Sequence, residues 1–313
     1  MSNRNRHMQY RKSIYRRRKI RSVLILSISV AVVVFALFII IGTALHNKTK
    51  PEETFDFGTQ DQGKETTGLT PTSAIGAYPL PLLQEGSNFS DRLASVPPTA
   101  SAVCINLNDE AGTLLYRSTL TQEISNLSVA TDASDLSTYI SSIESNDLYI
   151  SSVLYVTAFQ NENDLVEDVE LSIWSAVACE ALRAGIGDVL IVVPSLETGD
   201  VEKLYAFADR VHAAVPEGIV GVMLSDTILL DEQKTALLDE FNKHFNYMAL
   251  DTTAFSSEDD PLEYVESKTA KMQLDLMYYK MRVILPQSDD SATQSKYIEI
   301  VERYNISSWQ ILP

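Results

Sequence analysis

Between residues 74 and 313, eight short apolar runs alternate with amphipathic stretches of helical period. That alternation predicts an α/β chain closed as a (β/α)8 TIM-like barrel. Several runs are apolar without a break, as in Val189-Leu190-Ile191-Val192-Val193, which suits parallel strands covered on both faces. Eight repeats in a segment of this length fit a barrel of the usual size, about 250 residues. The competing open sheet normally begins on a glycine-rich turn, and no G-x-G-x-x-G follows any run.

In order, the runs are Ile75–Leu80, Ala102–Leu107, Tyr149–Thr157, Asp188–Val193, Ile219–Leu224, Tyr247–Leu250, Met281–Leu285 and Ser308–Leu312. The first is the least regular, because Pro79 and Pro81 must lie at its end. Asp168–Ala184 sets Leu171, Trp174, Val177, Ala178 and Ala181 at helical spacing and stops at Gly185, a natural C-terminal cap. Val201–Val215 repeats the pattern with Leu204, Phe207, Ala208 and Val211, and Asp231–Phe245 with Leu237, Leu238, Phe241 and Phe245. Asp260-Pro261 opens Leu262–Tyr279, with proline suited to a first helical turn.

The N-terminal part has a different character. Residues 1–21 carry nine Lys/Arg and no acid, whereas Ser22–Leu45 carry no charge at all. The latter segment exceeds the roughly 20 apolar residues that span a bilayer, so it reads as a single transmembrane helix. Gly42, Thr43 and Ala44 make a poor cleavage site, which favours an uncleaved signal anchor. The positive-inside rule keeps the basic tail (1–21) in the cytoplasm, with the anchor at 22–45 in the cell membrane and the C-terminal domain outside. Residues 46–73 are rich in Thr, Gly and charge, lack periodicity, and read as a disordered, flexible stalk. The domain at 74–313 holds 13 Lys/Arg against 37 Asp/Glu, a net charge of −24, which excludes nucleic acid as a partner.

Reactive groups of such barrels lie where strands pass into βα loops. The residues there are Gln84-Glu85, Asn106 to Glu110, Gln160-Asn161-Glu162, Ser195 and Glu197, Ser225-Asp226, Asp251-Thr252-Thr253, Gln287 and Gln310. They are carboxylates, amides and hydroxyls. His212 and His244 fall inside helical patterns, so a histidine relay is excluded. No H-E-x-x-H, G-x-S-x-G or P-loop occurs, and Glu258-Asp259-Asp260 lacks the spacing of a calcium loop, so neither cofactor nor metal is expected. Glycoside hydrolysis needs two facing carboxylates. Asp226 and Asp251 end neighbouring runs, and Asp109 is a third candidate. Asn106 and Asn108 alternate with Cys104 toward the barrel interior, where they suit sugar hydroxyls. With Asp109, Gln160, Ser225 and Gln287 they make up the expected ligand-binding set. Cys104 and Cys179, on a strand and a helix, are expected as buried free thiols, with a disulfide outside the membrane as the alternative.

Val103–Ser118 resembles the strand and hairpin of a bacterial family of glycoside-hydrolase-like (β/α)8 barrels related to the α-amylase-type enzymes. The family pattern there is V-I-D-V-K-D-D-x-G-x-V-x-Y-x-S. Asp109, Gly112, Tyr116 and Ser118 match it, while Asn106 and Asn108 replace its Asp and Lys. Ala158-Phe159-Gln160-Asn161 is similar to the family's V-F-K-D, without the arginine expected in that strand. Glu180–Pro194 is similar to E-A-A-x-x-G-F-D-E-I-Q-F-D-Y-V-R-F-P, but the strand-end Asp falls on Val192 and the following Arg has no counterpart. Ser308–Leu312 resembles the last strand. The departures from the family pattern imply a catalytically degenerate barrel, which with the anchor at 22–45 is expected to be held outside the membrane and to bind cell-envelope glycan or a partner protein.

Two alternatives follow from the same residues. An active glycoside hydrolase would use Asp226, Asp251 or Asp109 at the mouth. A type II membrane glycosyltransferase shares the layout of basic tail, anchor and stem, and sequons at Asn47, Asn88, Asn126 and Asn305 suit it. No D-x-D is present to hold a metal and a nucleotide sugar.

Overall fold

The computed structural model describes residues 75–84, 86–122, 127–156, 168–193, 201–229, 235–256, 259–276 and 279–313. The expected tail, anchor and stalk lie outside these residues. Among the described residues no helix is long and apolar enough to cross a membrane.

The domain is the barrel that the alternation predicts. Eight parallel strands pair in sequence order and close on themselves: β1 (Gly76–Pro79), β2 (Ala102–Asn106), β3 (Tyr149–Tyr155), β4 (Asp188–Val192), β5 (Val220–Leu224), β6 (Tyr247–Asp251), β7 (Met281–Leu285) and β8 (Trp309–Ile311). Closure rests on a short seam in which Gly76 pairs with Trp309 and Ala77 with Gln310. Pro79 is tolerated because it ends β1, where the ladder is carried on by the Leu80 N–H donating to the Cys104 carbonyl at 2.7 Å.

The outer layer comprises α1 (Phe89–Ala94), α2 (Leu136–Glu144), α3 (Asp168–Arg183), α4 (Val201–Ala214), α5 (Asp226–Leu229), α6 (Thr235–His244), α7 (Pro261–Asp275) and α8 (Ser291–Arg303). Periodicity locates α3, α4, α6 and α7, whereas α1, α2 and α8 are not among the expected helices, although α2 buries Leu136, Tyr139, Ile140 and Ile143 at helical spacing. Gly185 adopts φ +112° just past α3, a conformation that other residues enter only with strain. Asp260 caps α7 by accepting from the Leu262 N–H at 2.9 Å. Asp226 does not end β5 as the sequence suggests. It opens the single turn of α5, because Ser225 accepts the backbone N–H groups of Ile228 and Leu229 and turns the chain there.

Alternate residues of each strand point inward and fill the barrel. Its middle is apolar, with Ala77, Cys104, Val153, Leu190, Ala249 and Ile284 in one packed cluster. Cys104 and Cys179 are buried free thiols. Gly221 makes room on β5 for the Tyr247 ring, since a Cβ there would sit 2.1 Å from it.

Candidate functional site

Two polar regions lie at opposite ends of this apolar plug. At the N-terminal end of the strands, Asp188 opens β4 and Arg282 is the second residue of β7. Their side chains are 0% and 4% exposed and meet in a bidentate pair, Nη1 to Oδ1 at 3.0 Å and Nη2 to Oδ2 at 3.2 Å. Tyr247 donates to Asp188 Oδ1 at 2.7 Å and Ser151 to the same oxygen at 2.8 Å. Arg282 Nη1 also donates to Gln310 Oε1 at 2.6 Å, and its guanidinium lies 4.1 Å from the Tyr247 ring centre. Burial on its own would lower the Arg282 pKa, but the adjoining Asp188 carboxylate reverses this and holds the guanidinium charged. Sequence reasoning missed this cluster because it weighed only strand ends facing the βα loops. An arginine inside an apolar run, Met281-Arg-Val-Ile-Leu285, was the available signal.

At the C-terminal mouth, Tyr155 and Asp251 end β3 and β6 in the inward register of Val153 and Ala249. Tyr155 is half-buried. Burial, followed by the negative charges of Glu110 and Asp251 among others, pushes its phenol up to about 12. The phenol therefore stays neutral and able to donate. Asp251 Oδ1 accepts from the Thr253 N–H at 2.8 Å and the Thr253 hydroxyl at 2.7 Å, which holds the carboxylate at the start of its loop.

The other expected site residues are scattered in role. Asn108 is fully buried, and its amide donates to the Tyr155 carbonyl at 2.7 Å and accepts from the Tyr155 N–H at 2.9 Å. It corrects the expectation of a ligand contact: both ends of the amide are spent on satisfying a strand-end backbone that has run out of ladder partners. Asn106 is half-buried at the mouth, with Oδ1 accepting from the Leu82 N–H at 3.0 Å. Asp109 closes a turn on itself, its Oδ1 accepting from the Thr113 N–H at 2.7 Å. Ser225 is exposed and bonds Thr227 at 2.8 Å, and Gln287 is exposed. Gln160 and the Asp226 side chain lie outside the described residues, so the pairing of Asp226 with Asp251 is not among the observed contacts. His244 sits between helices, with Nδ1 2.8 Å from Asp209.

The residues that carry the family resemblance converge, although they come from two separate segments. The Glu180 carboxylate on α3 accepts from the Tyr116 hydroxyl at 2.7 Å, the Ser118 hydroxyl at 2.6 Å and the Thr119 N–H at 2.9 Å. Gly112, at φ +85°, turns the hairpin that delivers Tyr116 to this latch. Gly112, Tyr116 and Ser118 thus act in the scaffold. Val192, where the family has its strand-end aspartate, is 3% exposed inside the apolar barrel.

No family model matches the chain, and neither does any curated protein sequence. Among solved structures it is similar to a hypothetical protein from Ruminiclostridium thermocellum, at 15% identity and TM-score 0.36 over 47% of this chain and 96% of that one. It is similar to xylanase A of P fluorescens subsp. cellulosa at 9% identity and TM-score 0.47, over 75% of this chain and 85% of that one. D-psicose 3-epimerase gives 10% identity and TM-score 0.45, over 76% and 84%. At these identities and scores the neighbours carry no statement about chemistry or substrate.

Proposed function

We propose that this chain is a membrane-tethered, extracytoplasmic barrel of glycoside-hydrolase-like type that binds a cell-envelope glycan at its mouth without cleaving it. Val192 carries the reading. Hydrolysis takes one carboxyl group as acid and a second as base or nucleophile, about 5–10 Å apart. A valine at the inward end of β4 can neither give nor take a proton, and no tuning of its surroundings restores that capacity. Asp251 is the carboxylate that the described strands turn inward at this end. Beside it, the Tyr155 ring offers an apolar face and a neutral phenol, the combination that suits the C–H faces and hydroxyls of a sugar. Asn106, Ser225 and Gln287 add amide and hydroxyl groups around the opening. The anchor at residues 22–45 would hold the barrel close to envelope glycans.

The test is titration of the full chain, in lipid nanodiscs, with soluble cell-wall fragments and with α- and β-glucan oligosaccharides. The expected result is saturable binding to one class, weakened by Tyr155→Ala, with no new reducing ends on prolonged incubation. Turnover that disappears in Asp251→Asn or Asp226→Asn overturns the non-catalytic reading in favour of an active hydrolase. Failure to bind any glycan redirects it to a protein partner.

A further inference from the structure

A cavity of about 710 Å³ opens at the opposite end of the barrel, among the loops that lead into β6, β7 and β8 and against the end of α7. Its volume lies within the range of small-molecule sites, about 300–1,000 Å³. Three observations give it a chemical character. The first is charge. Although 37 acids face 13 bases in residues 74–313, the described wall holds Lys280 and Arg282 and no carboxylate. The second is an unmet donor. Arg282 Nη1 and Nη2 are engaged by the base cluster, but its buried Nε–H has no acceptor among the described residues. A buried guanidinium hydrogen without a partner costs free energy that an incoming acceptor can recover. The third is apolar surface. Met272, Leu276 and Ile306 line the wall, and Leu274 stands beside them 76% exposed, the large apolar side chain left most open to solvent in the described domain.

We propose that this basal cavity binds a small organic anion with an apolar or aromatic body, its anionic group directed to Arg282 and Lys280 and its body laid along Met272, Leu274, Leu276 and Ile306. The Asp188 carboxylate behind the arginine neutralises it in the empty state, so the site admits a single negative charge rather than a polyanion. Lys280, at the exposed rim, supplies the charge that the ligand balances. The site is separate from the mouth and does not depend on the glycan reading.

Its probe is 2-naphthoate, titrated calorimetrically into the full chain in nanodiscs with empty nanodiscs subtracted, and compared with the neutral 2-naphthylmethanol. Naphthoate is expected to bind saturably and about tenfold more tightly than the alcohol, an increment typical of one charge-assisted contact. Lys280→Gln should weaken naphthoate severalfold and leave the alcohol unchanged. Ser307→Trp, at the exposed rim, should abolish both while the circular dichroism spectrum stays native. Oligosaccharides bound at the mouth should not compete. Equal affinity for acid and alcohol, affinity indifferent to both variants, or no binding at millimolar naphthoate overturns the proposal.

Discussion

At the base of the barrel, Asp188 and Arg282 are withdrawn from water, locked in a bidentate pair and surrounded by Ser151, Tyr247 and Gln310. At the mouth, Asp251 is half-exposed and bonds the first residues of its own loop, while Tyr155 is held by its backbone through Asn108. Both ends follow the same inward alternation, and they spend polarity differently. The base pairs its two charges with each other, so removing one partner strands the other. The mouth satisfies the backbone and leaves side-chain functions facing outward. A barrel built this way pairs buried charges at one end and keeps half-exposed polar side chains at the other.

The comparison can be broken most decisively at the base. Arg282→Leu leaves a buried, uncompensated Asp188 and should cost about 3–5 kcal/mol, read as a lowered urea midpoint. Combining it with Asp188→Asn should recover much of the loss, and no recovery would mean that the arginine acts through packing alone. Glu180→Ala, which frees the buried Tyr116 hydroxyl, should cost about 1–3 kcal/mol and expose the amides of residues 107–118 to hydrogen exchange. Asn108→Ala removes both bonds to Tyr155 and should cost about 1–2 kcal/mol while weakening any mouth ligand.

At the mouth the effects on stability become small. The Tyr155 phenol has its pKa raised from 10.0 to about 12, so the fold favours the neutral form. Its contribution is whole below pH 10 and is lost as pH climbs toward 12. Several buried tyrosines, Tyr116, Tyr149, Tyr205 and Tyr247 among them, share this upward shift, so the Tyr155 component is the high-pH phenolate absorbance that Tyr155→Phe removes, and Glu110→Gln should bring that component down. Asp251→Asn should change stability by about 0.5 kcal/mol or less, the smallest effect of the series, and on the proposed glycan reading it should also lower glycan affinity.

Much of the architecture was legible residue by residue. The unbroken run at Val189–Val192 announced a strand buried on both faces, and Gly185 and Asp260-Pro261 marked helix ends by backbone chemistry that acts locally. The short helix α1 escaped because six residues give too few turns for a clear stripe, whereas α2 carries a readable one in Leu136, Tyr139, Ile140 and Ile143. At the site, alternation placed Asp251 and Asn106 at the mouth, but Asn108 read as a ligand group when it is a backbone clamp. Its partner, Tyr155, lies 47 residues away, a distance over which spacing says nothing.

Periodicity alone determined that this chain alternates strands and helices, because the period of apolar residues is set by the local geometry of each element. Composition and periodicity together set His212 and His244, the two histidines of residues 74–313, inside helices, and they lie on α4 and α6. Only closure of the sheet decided which charges meet. Arg282 and Asp188 are 94 residues apart along the chain and become neighbours because β4 and β7 face one another across the same cylinder. Electrostatic energy depends on that distance through space, and no local pattern of residues encodes it.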